Sequence, residues 1–265
     1  MNKNFQQKRN ITVIAAILTV TIILCSIIYI SSSPLDESIR RYPINLGSFA
    51  DTDSYKINPQ TILSSLDRGQ MDVFAPELAT PQMPVSNKPV GWRQEDYQKI
   101  AEALHRFVWK ESLDGWSLYR IELYGMCRDN PSGFEYADFI YYKGIFSNGK
   151  LLYTAREIFI TPQYHNVSWG GNTNFPRPIL GWKSINLSAL KVTAENALSI
   201  AEENGGKAAR LSVQNKCSIS LLLSGDTGWD VLYGGNGGLS NFHIRIDPYT
   251  GKVTKQIFNC RHLFY

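Results

Sequence analysis

The stretch that decides the fold is YADFIYYKGIFSNGKLLYTAREIFI, residues 136–160, in which Asn148-Gly149 separates two apolar, aromatic-rich runs. Asn and Gly both tolerate the positive φ that a tight hairpin turn needs, so this dipeptide between two such runs predicts a β-hairpin. The run before it, Trp116–Met126, alternates apolar and polar side chains, as does a strand with one face on a core. We therefore expect a three-stranded antiparallel meander.

A helix is predicted immediately before this meander, over 94–110. Its apolar side chains recur at helical spacing and form one stripe: Tyr97, Ile100, Ala101, Leu104, Phe107 and Val108. Glu95 and Asp96 add negative charge to the first turn, where the helix dipole favours it. Helix and meander together predict a first α+β subdomain over residues 93–162.

The second half of the chain repeats this order. Thr193 is suited to cap a helix that extends to about Asn204, before Gly205-Gly206. The strands predicted after it are Ala208–Val213, Cys217–Ser224, Trp229–Tyr233, Phe242–Ile246 and Val253–Phe258. The predicted fold class is α+β, with two helix-plus-antiparallel-meander subdomains behind an N-terminal transmembrane helix.

The transmembrane prediction rests on residues 11–30, ITVIAAILTVTIILCSIIYI, which contain neither charge nor proline. About 20 such residues in a helix span roughly 30 Å, the thickness of the hydrocarbon core of a bilayer. Three basic residues precede the span, Lys3, Lys8 and Arg9, and keep that end cytoplasmic. We expect an uncleaved signal-anchor that crosses the lipid bilayer once and leaves the C-terminal domain extracytoplasmic in the cell envelope; a cleaved signal peptide is the alternative.

The domain organisation follows from these elements. It comprises a cytoplasmic basic tail (1–10), a transmembrane helix (11–30), a stalk and extended linker (31–92), the first subdomain (93–162), a connecting loop (163–186) and the second subdomain (187–265). The net charge is +4. Because three of the basic residues lie before the span, this charge reflects topology and indicates no nucleic-acid partner.

Outside the span there are three cysteines, Cys127, Cys217 and Cys260. An oxidising compartment permits a disulfide, and a Cys217–Cys260 bond would tie together two strands of the second subdomain. The alternative is three buried free thiols. The chain has no CxxC motif and no paired Cys/His spacing, so we expect neither a metal nor another cofactor.

One short motif bears on catalysis. Asp226-Thr227-Gly228 is the triplet of aspartic proteases, whose chemistry needs a second carboxylate that shares one proton with the first. The triplet occurs once, so only a homodimer could supply the second carboxylate. A plain turn also explains this composition, and we expect a protein that is not an enzyme, with Asp226 as the alternative catalytic residue.

Three segments of the second half carry a family resemblance: ALSIA at 197–201, WDVLY at 229–233 and FHIRIDPYTGKV at 242–253. Together they resemble a PepSY-type module. This resemblance implies a location outside the cytoplasmic membrane and a role in inhibiting peptidases or regulating the envelope. It supplies no catalytic residue.

These patterns favour a membrane-anchored, extracytoplasmic, non-enzymatic module that binds a peptide or an envelope protein in a regulatory or inhibitory role. The expected binding surface consists of aromatic residues and one histidine: Trp169, Trp182, Tyr141, Tyr233 and His243. Aromatic residues on a sheet also serve as core, which is the simpler reading of the same positions. The alternatives are an envelope hydrolase that uses Asp226 in a dimer, and an assembly component whose sheet edge pairs with another chain.

Overall fold

The computed structural model describes residues 40–43, 59–69, 91–129, 131, 133–162, 166–175, 183–235 and 240–258. The helices are α1 (Pro59–Asp67), α2 (Gln94–Trp109), α3 (Ala194–Ala201) and α4 (Lys207–Ser212). The strands are β1 (Arg40–Pro43), β2 (Ser117–Met126), β3 (Tyr136–Ser147), β4 (Lys150–Thr161), β5 (Asn166–Phe175), β6 (Cys217–Ser224), β7 (Gly228–Gly235), β8 (Ser240–Ile246) and β9 (Val253–Phe258).

All of these strands belong to one sheet, in the order β1-β5-β4-β3-β2-β6-β7-β8-β9. Every pair of neighbours is antiparallel. The two halves join where β2 pairs with β6, from Arg120 opposite Ser224 to Met126 opposite Ser218. The prediction of two separate subdomains is therefore wrong, because the inner strands of both meanders satisfy their backbone hydrogen bonds on each other.

One face of the sheet carries the core. Its side chains come from alternate positions of the strands, and Ile121, Phe139 and Leu221 among them are fully buried. Helix α2 packs on this face through Tyr97 and Leu104, both fully buried, and α3 packs beside it. A single hydrophobic core therefore lies between the helices and the sheet.

Helices α3 and α4 follow each other across a kink. At the kink Gly205 has φ 114°, a conformation that favours glycine. A Cβ on Gly206 would lie 2.5 Å from the Tyr233 hydroxyl, so this close approach also requires glycine. The predicted strand Ala208–Val213 is wrong, because alanine, arginine and leucine are strong helix formers and continue the chain as α4.

The predicted connecting loop 163–186 is also wrong in its first part, which forms β5. Its pairing with β4, from Thr161 opposite Asn166 to Ile158 opposite Trp169, makes this segment a strand, and Val167 and Trp169 lie in the core. On its outer side β5 pairs with β1, which comes from the predicted stalk. Trp182 lies outside the described residues.

The predicted transmembrane segment, residues 11–30, lies outside the part of the chain that the structure describes. No helix within the described part is long and apolar enough to cross a membrane. The longest of these helices, α2, has 16 residues and carries charged side chains along one face. We therefore correct the prediction of a single-pass, signal-anchored protein with a membrane location.

Candidate functional site

The face of the sheet opposite the helices, which we call the open face, carries an unusual set of polar side chains on β2, β3 and β4. Register places Glu122 opposite Asp138, and Arg120 and Glu157 both opposite Ile140. Alternation along each strand puts these residues on the face that turns away from the core. We call Glu122, Asp138 and Glu157, together with Arg120, the acidic centre.

Within the acidic centre one guanidinium contacts two of the three carboxylates. Arg120 Nη2 donates to Asp138 Oδ2 at 2.7 Å and lies 4.0 Å from Glu122 Oε2. Ser220 Oγ donates to Glu122 Oε1 at 3.4 Å. Asp138 Oδ1 has no hydrogen-bond partner in the part of the chain that the structure describes. The centre therefore carries more negative charge than its one cation neutralises.

Burial and crowding change the titration of these carboxyl groups. Burial raises the pKa of Asp138 to about 7, the nearby Glu157 raises it as well, and Arg120 acts in the opposite direction. Burial also raises the pKa of Glu157, against the lowering effects of Arg120 and the Asp138 carboxyl. Asp138 and Glu157 thus titrate as a coupled pair, and Asp138 holds a proton up to near-neutral pH.

Aromatic rings flank the acidic centre on both sides along the strands. On one side Tyr136 stacks on Tyr124, with ring centroids 4.7 Å apart and planes at 9°, and contacts Phe159 at 5.1 Å. On the other side the ring centroid of Tyr142 lies 6.4 Å from the ring centroids of Tyr119 and Tyr153. All six rings are half-buried, so their outer surfaces are open to a ligand. We call these groups the two aromatic trios.

A second polar cluster lies further along the same face, on β7 and β8. The Asp230 carboxylate accepts from His243 Nε2 at 2.7 Å and from Arg245 Nε at 2.9 Å. Burial alone would raise the pKa of Asp230, but hydrogen bonds from Arg245, His243 and Thr227 outweigh it and lower the pKa. This carboxylate is neutralised within the protein, unlike those of the acidic centre.

Most of the predicted binding surface is core. Trp169, Tyr141 and Tyr233 are only 9%, 3% and 1% exposed and face the helices. The Tyr233 hydroxyl donates to a carboxylate of the helical segment, Glu202 Oε1, at 2.7 Å. Of the predicted binding-surface residues that the structure describes, only His243 lies on the open face. The prediction selected residues for being aromatic. It did not consider that alternate positions of a strand point to opposite faces of the sheet.

The signal that finds the open face is present in β2. Arg120, Glu122 and Tyr124 occupy alternate positions there and mark the polar side of the strand. The sequence does not show which polar residues of β3 and β4 lie next to them, because that depends on register. The aromatic trios were missed for the same reason.

Asp226 lies in the turn between β6 and β7. Ser224 Oγ donates to Asp226 Oδ1 at 2.8 Å and also contacts Thr227 Oγ1 at 2.6 Å. These contacts are those of a polar turn. Among the described residues, no three or more histidine, cysteine or carboxylate side chains are placed so that they could hold a metal ion.

The disulfide joins Cys127 and Cys217, whose Cα atoms are 5.2 Å apart. It links the end of β2 to the start of β6, where the Cys127 amide also donates to the Cys217 carbonyl at 2.9 Å. The predicted Cys217–Cys260 pairing is therefore wrong, and Cys260 lies outside the described residues. The observed pairing follows from the contact between the two halves.

Comparison with known proteins gives little further guidance. No family model matches the chain, and no curated protein matches it. A crystal structure of a candidate lipoprotein from Clostridium difficile 630 is similar to 61% of this chain and to 92% of its own chain, with 14% sequence identity and a TM-score of 0.34. A similarity at this level assigns no function to the chain.

Proposed function

We propose that this protein is a non-enzymatic binding module of the cell envelope that holds a basic segment of a peptide or protein partner on its open face. The observation that carries the proposal is the acidic centre, in which three carboxylates are accompanied by one arginine between two aromatic trios. The PepSY-type resemblance of the second half supports a regulatory or inhibitory role for that binding.

The compartment is argued from the disulfide. Disulfides persist in oxidising environments outside the cytoplasm and are rare within it. The Cys127–Cys217 bond closes a sequence separation of 90 residues and lies at the seam between the two halves. A structural bond of this kind supports a place of action outside the cytoplasm.

The ligand class is argued from charge and ring geometry. A lysine or arginine side chain would add a second positive charge beside Glu122, which lies 4.0 Å from Arg120, and beside Glu157, through charge-assisted hydrogen bonds. The ring faces of Tyr136 and Tyr142 offer cation–π and stacking contacts to either side. An extended segment that lies along the strands would reach both trios and the centre together.

The test is a binding measurement on the purified full-length chain. Two fluorescent decapeptides of matched apolar content, one with lysines and one with glutamates, are titrated and followed by anisotropy. We expect the lysine peptide to bind, and the double variant Glu122→Gln/Glu157→Gln to bind it at least about tenfold more weakly, equivalent to roughly 1.4 kcal/mol. The control Glu203→Gln changes an exposed carboxylate on the helical side and should leave binding unchanged.

Two outcomes contradict the proposal. One is equal affinity for the two peptides, which removes the role of charge. The other is unchanged affinity of the double variant for the lysine peptide, which would show that the peptide binds elsewhere on the protein. Tyr136→Ala serves as an independent variant of the same surface, because it removes a ring without changing the charge.

An observation at the sheet edge favours an assembly component as the second candidate function. Strand β9 is the last strand of the sheet, and most of its side chains are exposed. Edge strands accept strands of other chains by backbone hydrogen bonding. Concentration-dependent self-association that is lost in both Thr254→Pro and Lys255→Pro would support this function, and a strictly monomeric wild type would exclude self-assembly through this edge.

A further inference from the structure

A separate cleft of about 550 Å³ lies on the helical side of the sheet. Its walls come from the start of α2, from the α3–α4 segment and from the loop that follows Cys127. Both halves of the chain therefore contribute to it. Its volume lies within the usual range of small-molecule sites, roughly 300 to 1,000 Å³.

The walls of the cleft are fixed before any ligand binds. Arg210 is buried, and its guanidinium donates hydrogen bonds to Glu202 Oε2 at 2.8 Å, to Asn215 Oδ1 at 2.9 Å and to the Asp129 carbonyl at 3.0 Å. The disulfide holds the start of the same loop. At its far end Gly133 packs on the backbone of Gly91, where a Cβ would come within 2.4 Å.

The carboxylates that line the cleft already have partners. Glu202 accepts from Arg210 and from the Tyr233 hydroxyl. Glu195 accepts the backbone amide of Gln94 at 2.8 Å, and Asp129 accepts from the Asn215 side chain at 2.9 Å. These carboxylates are therefore already hydrogen-bonded within the protein, and they hold the walls of the cleft together.

Two cations that line the same cleft are available to a ligand. The side chains of Arg93 and Lys207 are exposed, and within the described ranges neither has an ion-pair partner. Arg210 adds a third positive charge, and the three hydrogen-bonded carboxylates, Glu195, Glu202 and Asp129, bring the net charge of the lining to zero. A single negative charge is then favoured beside the free cations, whereas a dianion meets repulsion from Glu195 and Glu202.

We propose that this cleft binds a carboxylate-bearing ligand, with the carboxylate between Arg93 and Lys207 and its apolar body against Leu198 and Pro131. A guanidinium presents a donor fork that matches carboxylate geometry, and the ammonium adds a second charge-assisted bond. The same chemistry is offered by a free carboxylic acid and by the C-terminus of a peptide. This site is independent of the open face and of the function proposed for it.

The test uses the full-length chain and four probes: N-acetyl-leucine, N-acetyl-leucinamide, N-acetyl-alanyl-leucine and inorganic phosphate. Binding is measured by isothermal titration calorimetry and by saturation-transfer NMR. We expect the two carboxylates to bind and the amide and phosphate to bind at least about tenfold more weakly. Binding of both carboxylates identifies a general carboxylate site, and binding of the dipeptide alone identifies a peptide C-terminus.

Variants locate the binding. Arg93→Met and Lys207→Met should each weaken carboxylate binding at least about tenfold, whereas Lys191→Met, which removes an exposed lysine outside the cleft, should not. Ser199→Trp fills the cleft and should abolish binding without removing a charge. Equal affinity for N-acetyl-leucine and its amide, equal affinity for phosphate, or no binding of either carboxylate up to its solubility would overturn the proposal.

Discussion

Gln94 and Glu195, 101 residues apart, cap each other's helices. The backbone N–H of Gln94 donates to Glu195 Oε1 at 2.8 Å, and Gln94 Oε1 accepts the backbone N–H of Ala194 at 2.8 Å. These amides belong to the first turns of α2 and α3, which have no intrahelical acceptors. Each half of the chain thus satisfies the helix start of the other, beside the seam where β2 and β6 pair.

This reciprocal capping predicts that Gln94→Ala destabilises the protein. The change leaves the buried amide of Ala194 without an acceptor, and we expect a loss of about 1–2 kcal/mol in the free energy of unfolding. Urea denaturation measures it. Gln98→Ala, which removes a side chain one turn further along α2, is the control and should cost less than about 0.5 kcal/mol. Equal losses in the two variants would contradict the capping role.

The disulfide predicts a second effect on stability. Because it links positions 90 residues apart, its loss in Cys127→Ser should lower the free energy of unfolding by about 2–5 kcal/mol. Adding a reductant to the wild type should reproduce the loss, and reductant should not change the variant further. Peptide mapping without reduction should recover Cys127 linked to Cys217; recovery of Cys217 linked to Cys260 would refute this pairing.

The acidic centre predicts a pH dependence with a definite sign. The pKa of Asp138 is about 7 in the fold and about 3.8 in the unfolded chain, so the folded state binds more protons between these values. Its contribution to the free energy of unfolding therefore falls as pH rises from about 4 to about 7. We expect Asp138→Asn to gain stability relative to wild type over this range and to keep that gain above it. Urea denaturation over a pH series measures the difference, and a difference that does not vary with pH would contradict it.

His105 predicts the opposite trend over nearly the same range. Burial lowers its pKa from 6.5 to about 4, helped by the charge of Arg156, whose Nη1 lies 3.4 Å from His105 Nε2. Wild type therefore loses stability as pH falls from about 6.5 to about 4, because the unfolded chain takes up the proton first. The variant His105→Gln should become more stable relative to wild type as pH falls through this interval. A constant difference would show that the fold does not lower the pKa of His105.

Strand parity in β3 predicts contrasting costs for two phenylalanines. Phe139 is fully buried against the helices, whereas Phe146 is 76% exposed near the hairpin turn. We expect Phe139→Ala to cost about 3–5 kcal/mol in the free energy of unfolding. Phe146→Ala should stay within about 0.5 kcal/mol of wild type. Similar costs at both positions would contradict the register of this strand.

Local chemistry accounts for what could be predicted. The Asn148-Gly149 turn forms as expected, with φ 50° and 72°, because these residues tolerate that conformation wherever they occur. Helix α2 matches the predicted 94–110 within one residue, since its apolar stripe and acidic first turn are properties of neighbouring residues. The alternation of β2 likewise marked Arg120, Glu122 and Tyr124 as its polar side.

Long-range pairing decided the rest. A strand pattern shows that a partner is needed but not which strand supplies it, so the β2–β6 contact and the Cys127–Cys217 bond that depends on it lay beyond the sequence. The same is true of Asp138, whose pKa is raised because the folded sheet buries it and brings Glu157 of β4 close to it. The sequence by itself determined helix α2, the hairpin of β3 and β4 and the polar side of β2, because these depend on residues within a few positions of each other. The tertiary structure alone decided the neighbours, and with them the acidic centre, the aromatic trios and the cleft.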